Sequence, residues 1–398
     1  MISATEALDR ILAAIEPLPA ESIAVPQAAA RFAAAPVHSS AALPRFDQSA
    51  MDGYAIRAAD TPGTLRLVGE QPAGAARALH VGAGEAARIF TGAPLPPGAD
   101  AVVMQEDVVP DGTTIRVVEA AKAGEFIRRR GEDVCEGQRL VDAGEPLTAA
   151  RIGLLCAAGV AGISVHRRPR AAIITTGDEL RPPGGPLSPG ELYESNGPML
   201  AAQLASAADI AGTAHSPDQP AALAGAIRSF ADADAIVLSG GVSVGAHDPV
   251  HGALRELGAT VDLWRVAVKP GKPFLFARLG RQRIFGLPGN PVSTFVTAHL
   301  FVLPALARMS GSANPLPPDL RIPLGTAVAN PDARVLYIRA ALRENCAFPA
   351  PLQQSHGLAS LAASDLLLRV PPRSRYGKGE IVTALPLNFE LTQVFKKN

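Results

Sequence analysis

The sequence predicts a multidomain α/β protein with a parallel-rich sheet in its central domain. Three observations predict it. Fully apolar strand-like runs alternate with helical patterns from Arg170 onward, and short strand runs bounded by Gly, Pro and Asp precede them between about Pro44 and Gly144. Further strand runs follow a Pro-rich linker, Ser312 to Pro318. The chain has 398 residues, of which 37 are Gly and 36 Pro, so turns are frequent. At about 150 residues per domain this length implies two to four domains. A composition of 47% hydrophobic and 19% charged residues excludes a disordered chain.

Taken in order, Ser3-Ala4-Thr5-Glu6 is a capping box, and Leu8, Ile11, Leu12 and Ile15 repeat at helical spacing before Pro17 stops the pattern. Tyr54 to Arg57, Leu65 to Val68, Ala101 to Met104 and Ile115 to Val118 read as strands of an antiparallel β module. Thr148 then caps a helix that ends at Gly159, so helical character returns and the β module is read as an insertion. Within that helix Cys156 is expected to be core. From Arg170 come a strand at 171–177, helices near 198–207 and 220–230, a strand at 235–241 and a helix near 249–257. Strands near 261–266, 274–277 and 283–286 follow, and Asn290-Pro291 starts a closing helix. Leu336 to Leu342, Leu366 to Val370 and Ile381 to Leu385 form a terminal β domain. The domains expected are 1–45 with 138–169, 46–137, 170–312 and 313–398, and segment 170–312 is expected to bury its own sheet and fold alone.

Lys plus Arg and Asp plus Glu are both 37, so no whole-chain field draws the protein to nucleic acid or an anionic membrane. The longest near-continuous apolar stretch, Ile152 to Val165, is shorter than a spanning helix, and the amino terminus lacks a secretory pattern, so a cytoplasmic location is expected. Cys135, Cys156 and Cys346 are too far apart for a C-x-x-C motif and are expected to be reduced.

In a parallel α/β sheet, ligands bind beyond the carboxyl ends of the strands. Three loops occupy that edge: Thr176-Gly177-Asp178-Glu179, the stretch from Ser239-Gly240-Gly241 through Ser243 and Gly245 to Asp248, and Gly286-Leu287-Pro288-Gly289-Asn290. Glycines let backbone N–H groups approach an anion, so the second loop reads as a phosphate cradle, although no Walker sequence follows. Glu179, Asp248 and Asp218 could hold a hard divalent cation bridging phosphate oxygens, with solvated loop carboxylates as the alternative. Asp178 reads more readily as a helix cap. The run from Arg265 to Phe274 places Lys269 and Lys272, two of the chain's six lysines, in a Pro-Gly turn suited to an oxoanion. If these ammonium groups were buried, losing one would cost on the order of 2 to 5 kcal/mol. Zinc at His247 and His251 is not expected, because Pro249 lies between them and no third ligand is spaced to join. Gly82-Ala83-Gly84 lacks the βαβ context of a dinucleotide site, and no nucleophile elbow occurs.

The segments D47-Q-S-A-M-D-G-Y-A55, T91-G-A-P-L-P-P-G-A-D100, R130-G-E-D133, T176-G-D-E-L180, S239-G-G-V-S-V-G245, K269-P-G-K-P-F274 and L287-P-G-N-P-V-S293 occur in this order. Together they resemble the molybdopterin molybdenumtransferases, the MoeA family that includes the E domain of gephyrin. The resemblance runs from about residue 5 to the carboxyl terminus. It implies a homodimer of four-domain subunits: a split elongated helical domain, an inserted β domain, a molybdopterin-binding α/β domain and a terminal β barrel. It also implies insertion of molybdenum from molybdate into adenylylated molybdopterin with release of AMP, assisted by Mg²⁺. By motif position, Asp52, Thr91 and Asp133 belong to the β module, expected to reach the partner's α/β domain. Glu179, Asp218 and Asp248 would be the functional and metal-holding acids, and Arg265, Lys269 and Lys272 would bind molybdate or phosphate. Asp52, Glu179, Asp248, Lys269 and Lys272 form the expected catalytic set. Gly177, Ser239, Gly240, Gly241, Ser243, Gly245, Pro288 and Asn290 would contact substrate, and Arg339 and Ser355 would line the cleft. At the position of Arg265 the family often carries Lys.

Cleavage of a phosphoanhydride needs charge neutralisation and an oriented oxygen nucleophile, here molybdate or water. The resemblance leaves two rivals: a molybdopterin adenylyltransferase-like enzyme, which needs only the α/β unit, and a non-catalytic molybdopterin-binding or scaffold protein. The flanking domains argue against the first and the acids at 52, 179 and 248 against the second. Expected partners are a molybdopterin adenylyltransferase that hands over substrate and maturation factors that take the product.

Overall fold

Alternation of burial along the strands fixes the layers of the α/β region. In this computed structural model, which describes residues 1–74, 77–242 and 249–387, Ile173, Val237, Phe276 and Phe285 point to one side of a six-stranded sheet. Their neighbours Ala172, Ile174, Ile236, Leu238 and Ile284 point to the other. The strand order is Asp209–Ser216, Arg170–Thr176, Ala235–Ser239, Gln282–Leu287, Leu275–Leu279, Thr260–Trp264. The first four run parallel; Leu275–Leu279 runs antiparallel to both its neighbours, so the edge strand Thr260–Trp264 again has the direction of the first four. The sheet is therefore mixed, as the short turn at Gly280 between Leu275–Leu279 and Gln282–Leu287 demands. The edge strand Asp209–Ser216 was not among the strands expected from sequence. Its glycine and polar residues match a half-exposed edge rather than an apolar run.

Helices Pro220–Ser229 and Pro249–Glu256 cover one face through Leu223, Ile227, Val250 and Leu254. The other face packs helix Asn196–Leu204 and the long helix Pro291–Met309, whose middle, Ala298–Val302, is π-helical. Pro291–Met309 is long and apolar enough to cross a membrane, but 78% of its most apolar window is buried inside the protein, as a core helix is.

Helix Ala4–Ala13 joins this same face, with Ala7, Ile11 and Ile15 buried among Ile173 and Phe285. Ser3 Oγ accepts the Glu6 N–H at 3.0 Å, as the capping box predicts. Segment 170–312 therefore does not bury its sheet alone, because an amino-terminal helix supplies part of the cover. The chain divides into two compact units, 22–164 on one side and 1–21 with 165–398 on the other. Residues 1–21 thus group with the α/β region rather than with 22–45.

Within the larger unit the terminal residues form a second six-stranded sheet in the order Val268–Lys269, Val335–Arg343, Leu366–Val370, Ile381–Pro386, Leu320–Pro323, with Cys346–Pro349 paired to Val335–Arg343. Ile322, Ile338, Leu368 and Val382 fill its core. Its first strand belongs in sequence to the α/β region: Val268 and Lys269 run parallel to Val335 and Leu336.

The smaller unit holds a sheet ordered Ala101–Met104, Gly53–Ile56, Glu85–Ile89, Gly63–Gln71, Thr114–Val117, Val108–Asp111. One of its pairings, Gly63–Gln71 with Glu85–Ile89, is parallel, so the module is not purely antiparallel. Thr148 caps helix Ala149–Ala157 as predicted, but Cys156 on it is exposed and not core.

Candidate functional site

Strands Arg170–Thr176, Ala235–Ser239 and Gln282–Leu287 are adjacent and parallel, so the loops at their carboxyl ends meet. The Gly240 N–H donates to Leu287 O at 3.3 Å, and Gly289 approaches Gly240 closely. Gly240 has φ 96°, and a Cβ there would lie 2.4 Å from Thr176 O, so only glycine fits this crossing. A fourth loop joins from the edge strand Asp209–Ser216. Thr176 Oγ1 donates to Asp218 Oδ1 at 2.6 Å and the Asp218 N–H donates to Asp178 Oδ1 at 3.2 Å. Asp178 thus ties two loops together rather than capping a helix.

Glu179 and Asp218 are exposed at this edge, and the Glu179 carboxylate lies over Gly177. No group of three or more His, Cys, Asp or Glu placed to hold a metal occurs among the described residues. Ser243, Gly245, His247 and Asp248 lie outside the described residues, so the third expected acid does too.

Two substrate-facing expectations change. Ser239 is 1% exposed, its hydroxyl held by Asn196 Nδ2 at 3.0 Å and near Pro288 O at 3.4 Å, so it braces loops instead of facing substrate. Arg339 is also 1% exposed; it does not line an open cleft. Its guanidinium donates to the carbonyls of Gly357, Leu352 and Gln354, which fixes the segment carrying Ser355. The Ser355 carbonyl in turn accepts the Val292 N–H at 3.0 Å in the first turn of helix Pro291–Met309. Pro288 is buried and its carbonyl accepts from Thr294 Oγ1 at 2.5 Å. Asn290 sits at the N-cap with its side chain making no capping bond, exposed at the loop edge. Gly241 follows Gly240 with positive φ.

Sequence reasoning missed Asn196. Its Nδ2 bridges Ser239 Oγ and Gly289 O, and its buried Oδ1 finds no donor among the described residues. The Asn-Gly-Pro opening of a helix was the available signal.

In the turn Lys269-Pro270-Gly271-Lys272-Pro273, Gly271 has φ 116° and a Cβ there would fall 2.5 Å from Thr297 Cγ2, so the turn seats directly on the long helix. Lys269 is half-exposed and its Nζ lies 3.5 Å from Asp332 Oδ2. Arg334 engages the same carboxylate at 2.7 Å and, with Lys269, holds it well below the usual carboxylate range. Two cations on one carboxylate leave the cluster net positive. Lys272 is exposed. Arg265 carries a buried Nε with no acceptor among the described residues.

In the smaller unit Asp52 Oδ1 accepts both Thr91 donors, N–H at 2.8 Å and Oγ1 at 2.7 Å. Those donors, backbone first and hydroxyl second, hold the Asp52 carboxyl below its ordinary value. Both residues and Asp133 are exposed.

Family models match three successive regions: the MoeA N-terminal region (domain I and II) over residues 2–159, a probable molybdopterin binding domain over 172–308, and the MoeA C-terminal region (domain IV) over 321–387. Molybdopterin molybdenumtransferase 2 of Mycobacterium tuberculosis is 38% identical over 83% of this chain and 85% of its own length. The molybdopterin molybdenumtransferase of Haemophilus influenzae is 38% identical over 74% of each chain. A crystal structure of a molybdopterin biosynthesis MoeA protein from Pyrococcus horikoshii superposes with a TM-score of 0.84 at 28% identity, over 97% of this chain and 100% of that one. The chain belongs to the molybdopterin molybdenumtransferase family.

Proposed function

We propose that this enzyme of molybdenum cofactor biosynthesis transfers molybdenum from molybdate to adenylylated molybdopterin and releases AMP. The observation that carries the reading is the meeting of four loops at the carboxyl edge of the parallel strands, with exposed Glu179 and Asp218 on two of them. We assign backbone donors for phosphate to the glycine loop beyond Gly240, whose own N–H is engaged by Leu287 O, and positive charge for the oxoanion to Arg265, Lys269 and Lys272. Water attacks the adenylyl phosphorus, the P–O bond to the pterin phosphate breaks and its electron pair leaves with that phosphate, so AMP and molybdopterin phosphate result. A molybdate oxygen attacking instead forms an adenylyl–molybdate anhydride, which water then cleaves to AMP. Molybdenum bonds to the two dithiolene sulfurs as their protons leave with a molybdate oxygen as water, with no change of oxidation state.

Hard oxygen donors on neighbouring exposed loops fit Mg²⁺, which keeps most of its waters and needs few carboxylates. Glu179 and Asp218 would hold it, Asp218 through the oxygen not already engaged by Thr176. When bound, Mg²⁺ neutralises charge building on the phosphates. Thr176 orients Asp218, and Asp178 holds the Asp218 backbone in place. Asp52, ionised beside Thr91, acts in the site of the second subunit of a homodimer, and Asp133 lies in the same β unit. We place the enzyme in the cytoplasm, receiving substrate from an adenylyltransferase and passing product to maturation factors. Family models that extend over residues 2–159 and 321–387 favour this reading over an enzyme consisting of the α/β unit alone.

The test incubates purified protein with adenylylated molybdopterin, Mg²⁺ and molybdate and measures AMP and metallated pterin. Formation of both that depends on molybdate supports the reading. Binding of the nucleotide without turnover would favour the scaffold alternative.

A further inference from the structure

Arg265 has φ 75°, in the left-handed region where a residue with a side chain is strained. Its N–H is fixed by Phe274 O at 2.8 Å. Its guanidinium carbon lies 5.3 Å from the centroid of the Trp264 ring. The same ring packs against His251, with centroids 3.8 Å apart and planes tilted by 41°. His251 is the third residue of helix Pro249–Glu256, which follows the glycine loop in sequence. Trp264 ends the edge strand Thr260–Trp264 and pairs with Leu275, so the ring is anchored on the sheet. One aromatic side chain therefore touches both segments that flank the proposed anion site.

We propose that Trp264 is a positioning residue for oxoanion binding: its ring holds Arg265 in the left-handed conformation and seats the helix that leads out of the glycine loop. The inference rests on the reading above that Arg265 and the two lysines bind oxoanion. A guanidinium over an indole face is attracted by the ring quadrupole, which favours the one backbone conformation that places it there. With the ring gone, Arg265 loses the contact that favours its positive φ, and its guanidinium no longer has one fixed position from which to meet the oxoanion. The effect falls on anion affinity and not on the bond-breaking step, because Trp264 touches no reacting atom.

The test uses the full-length protein. Trp264→Leu is expected to raise the molybdate concentration for half-maximal AMP release about fivefold, equivalent to ~1 kcal/mol, while the maximal rate stays within about twofold. Trp264→Phe keeps an aromatic face and should recover most of the loss. Trp264 is the only tryptophan in the chain, so its emission reports this ring directly. Molybdate with adenylylated molybdopterin should change that emission in wild type and leave it unchanged in Arg265→Ala. An unchanged molybdate dependence in Trp264→Leu, alongside an impaired Lys269→Ala, overturns the role of Trp264 and keeps the site reading. No impairment in either Lys269→Ala or Arg265→Ala overturns the site reading itself. Equal loss of maximal rate in the Leu and Phe variants at constant half-saturation also overturns the inference, since lost packing alone produces it.

Discussion

Removing the Lys269 ammonium tests the proposed oxoanion site most directly, and the structure changes the magnitude to expect. A buried charge pair loses on the order of 2 to 5 kcal/mol when one partner is truncated. Lys269, however, has 50% of its side chain exposed and sits 3.5 Å from a carboxylate that Arg334 already engages. At a surface site unit charges about 4 Å apart interact by roughly 1 to 4 kcal/mol, depending on how much water shares the field. A charge-assisted hydrogen bond to an oxoanion contributes about 1.5 to 3 kcal/mol net, and half-exposure lowers that to about 1 to 2 kcal/mol. Lys269→Ala should therefore raise the half-saturating molybdate concentration about five- to thirtyfold. Lys269→Arg should recover only part, because a planar fork does not replace a compact ammonium. The assay is AMP release against molybdate concentration at low and high ionic strength, with thermal unfolding as control. The defect should shrink as salt screens the exposed charge, and the unfolding temperature should hardly move. A molybdate dependence that matches wild type at low salt would refute the reasoning.

His299 lies buried in the π-helical stretch, where burial pushes its pKa down to about 4 and its Nε2 has no partner among the described residues. Its folded pKa is below the unfolded value, so the unfolded state binds more protons between the two, and stability falls as pH drops through that window. From pH ~7 to ~5 this removes about 2 kcal/mol in denaturant unfolding, and His299→Phe should flatten that part of the profile. Asp52→Asn and Glu179→Gln should each abolish AMP release without unfolding the chain. Mixed subunits of the two should recover activity if Asp52 serves the partner's site; no recovery would place each site within one subunit. Gly240→Ala forces a Cβ to within 2.4 Å of Thr176 O and should lower the unfolding temperature and AMP release together; an unaffected variant would show that the loop crossing has slack.

Motif chemistry in the sequence located the meeting loops, since strand ends and glycines are local signals. Ser3, Thr148 and Asn290 marked helix starts for the same reason. Burial was less legible. Ser239 in its strand-end loop and Arg339 by the family resemblance are expected to face ligand, yet both are enclosed, because their partners are backbone carbonyls and an amide up to 49 residues away. The edge strand Asp209–Ser216 was invisible because its small and polar residues, half-exposed at the sheet edge, break up the apolar run that marks an inner strand. Helix Ala4–Ala13 was readable as amphipathic, but nothing along the chain says which distant surface its stripe covers.

The two-residue pairing of Val268 and Lys269 with Val335 and Leu336 gives the terminal sheet a role in aim. Side chains alternate along a strand, so a slip of one residue there would turn Lys269 to the opposite side and carry Gly271 off its seat against Thr297. The orientation of the cationic turn is thus written more than sixty residues downstream, in a separate sheet. Substitutions in the terminal sheet that loosen Val335 or Leu336 would then mistune the proposed anion binding while every residue of the turn stays intact.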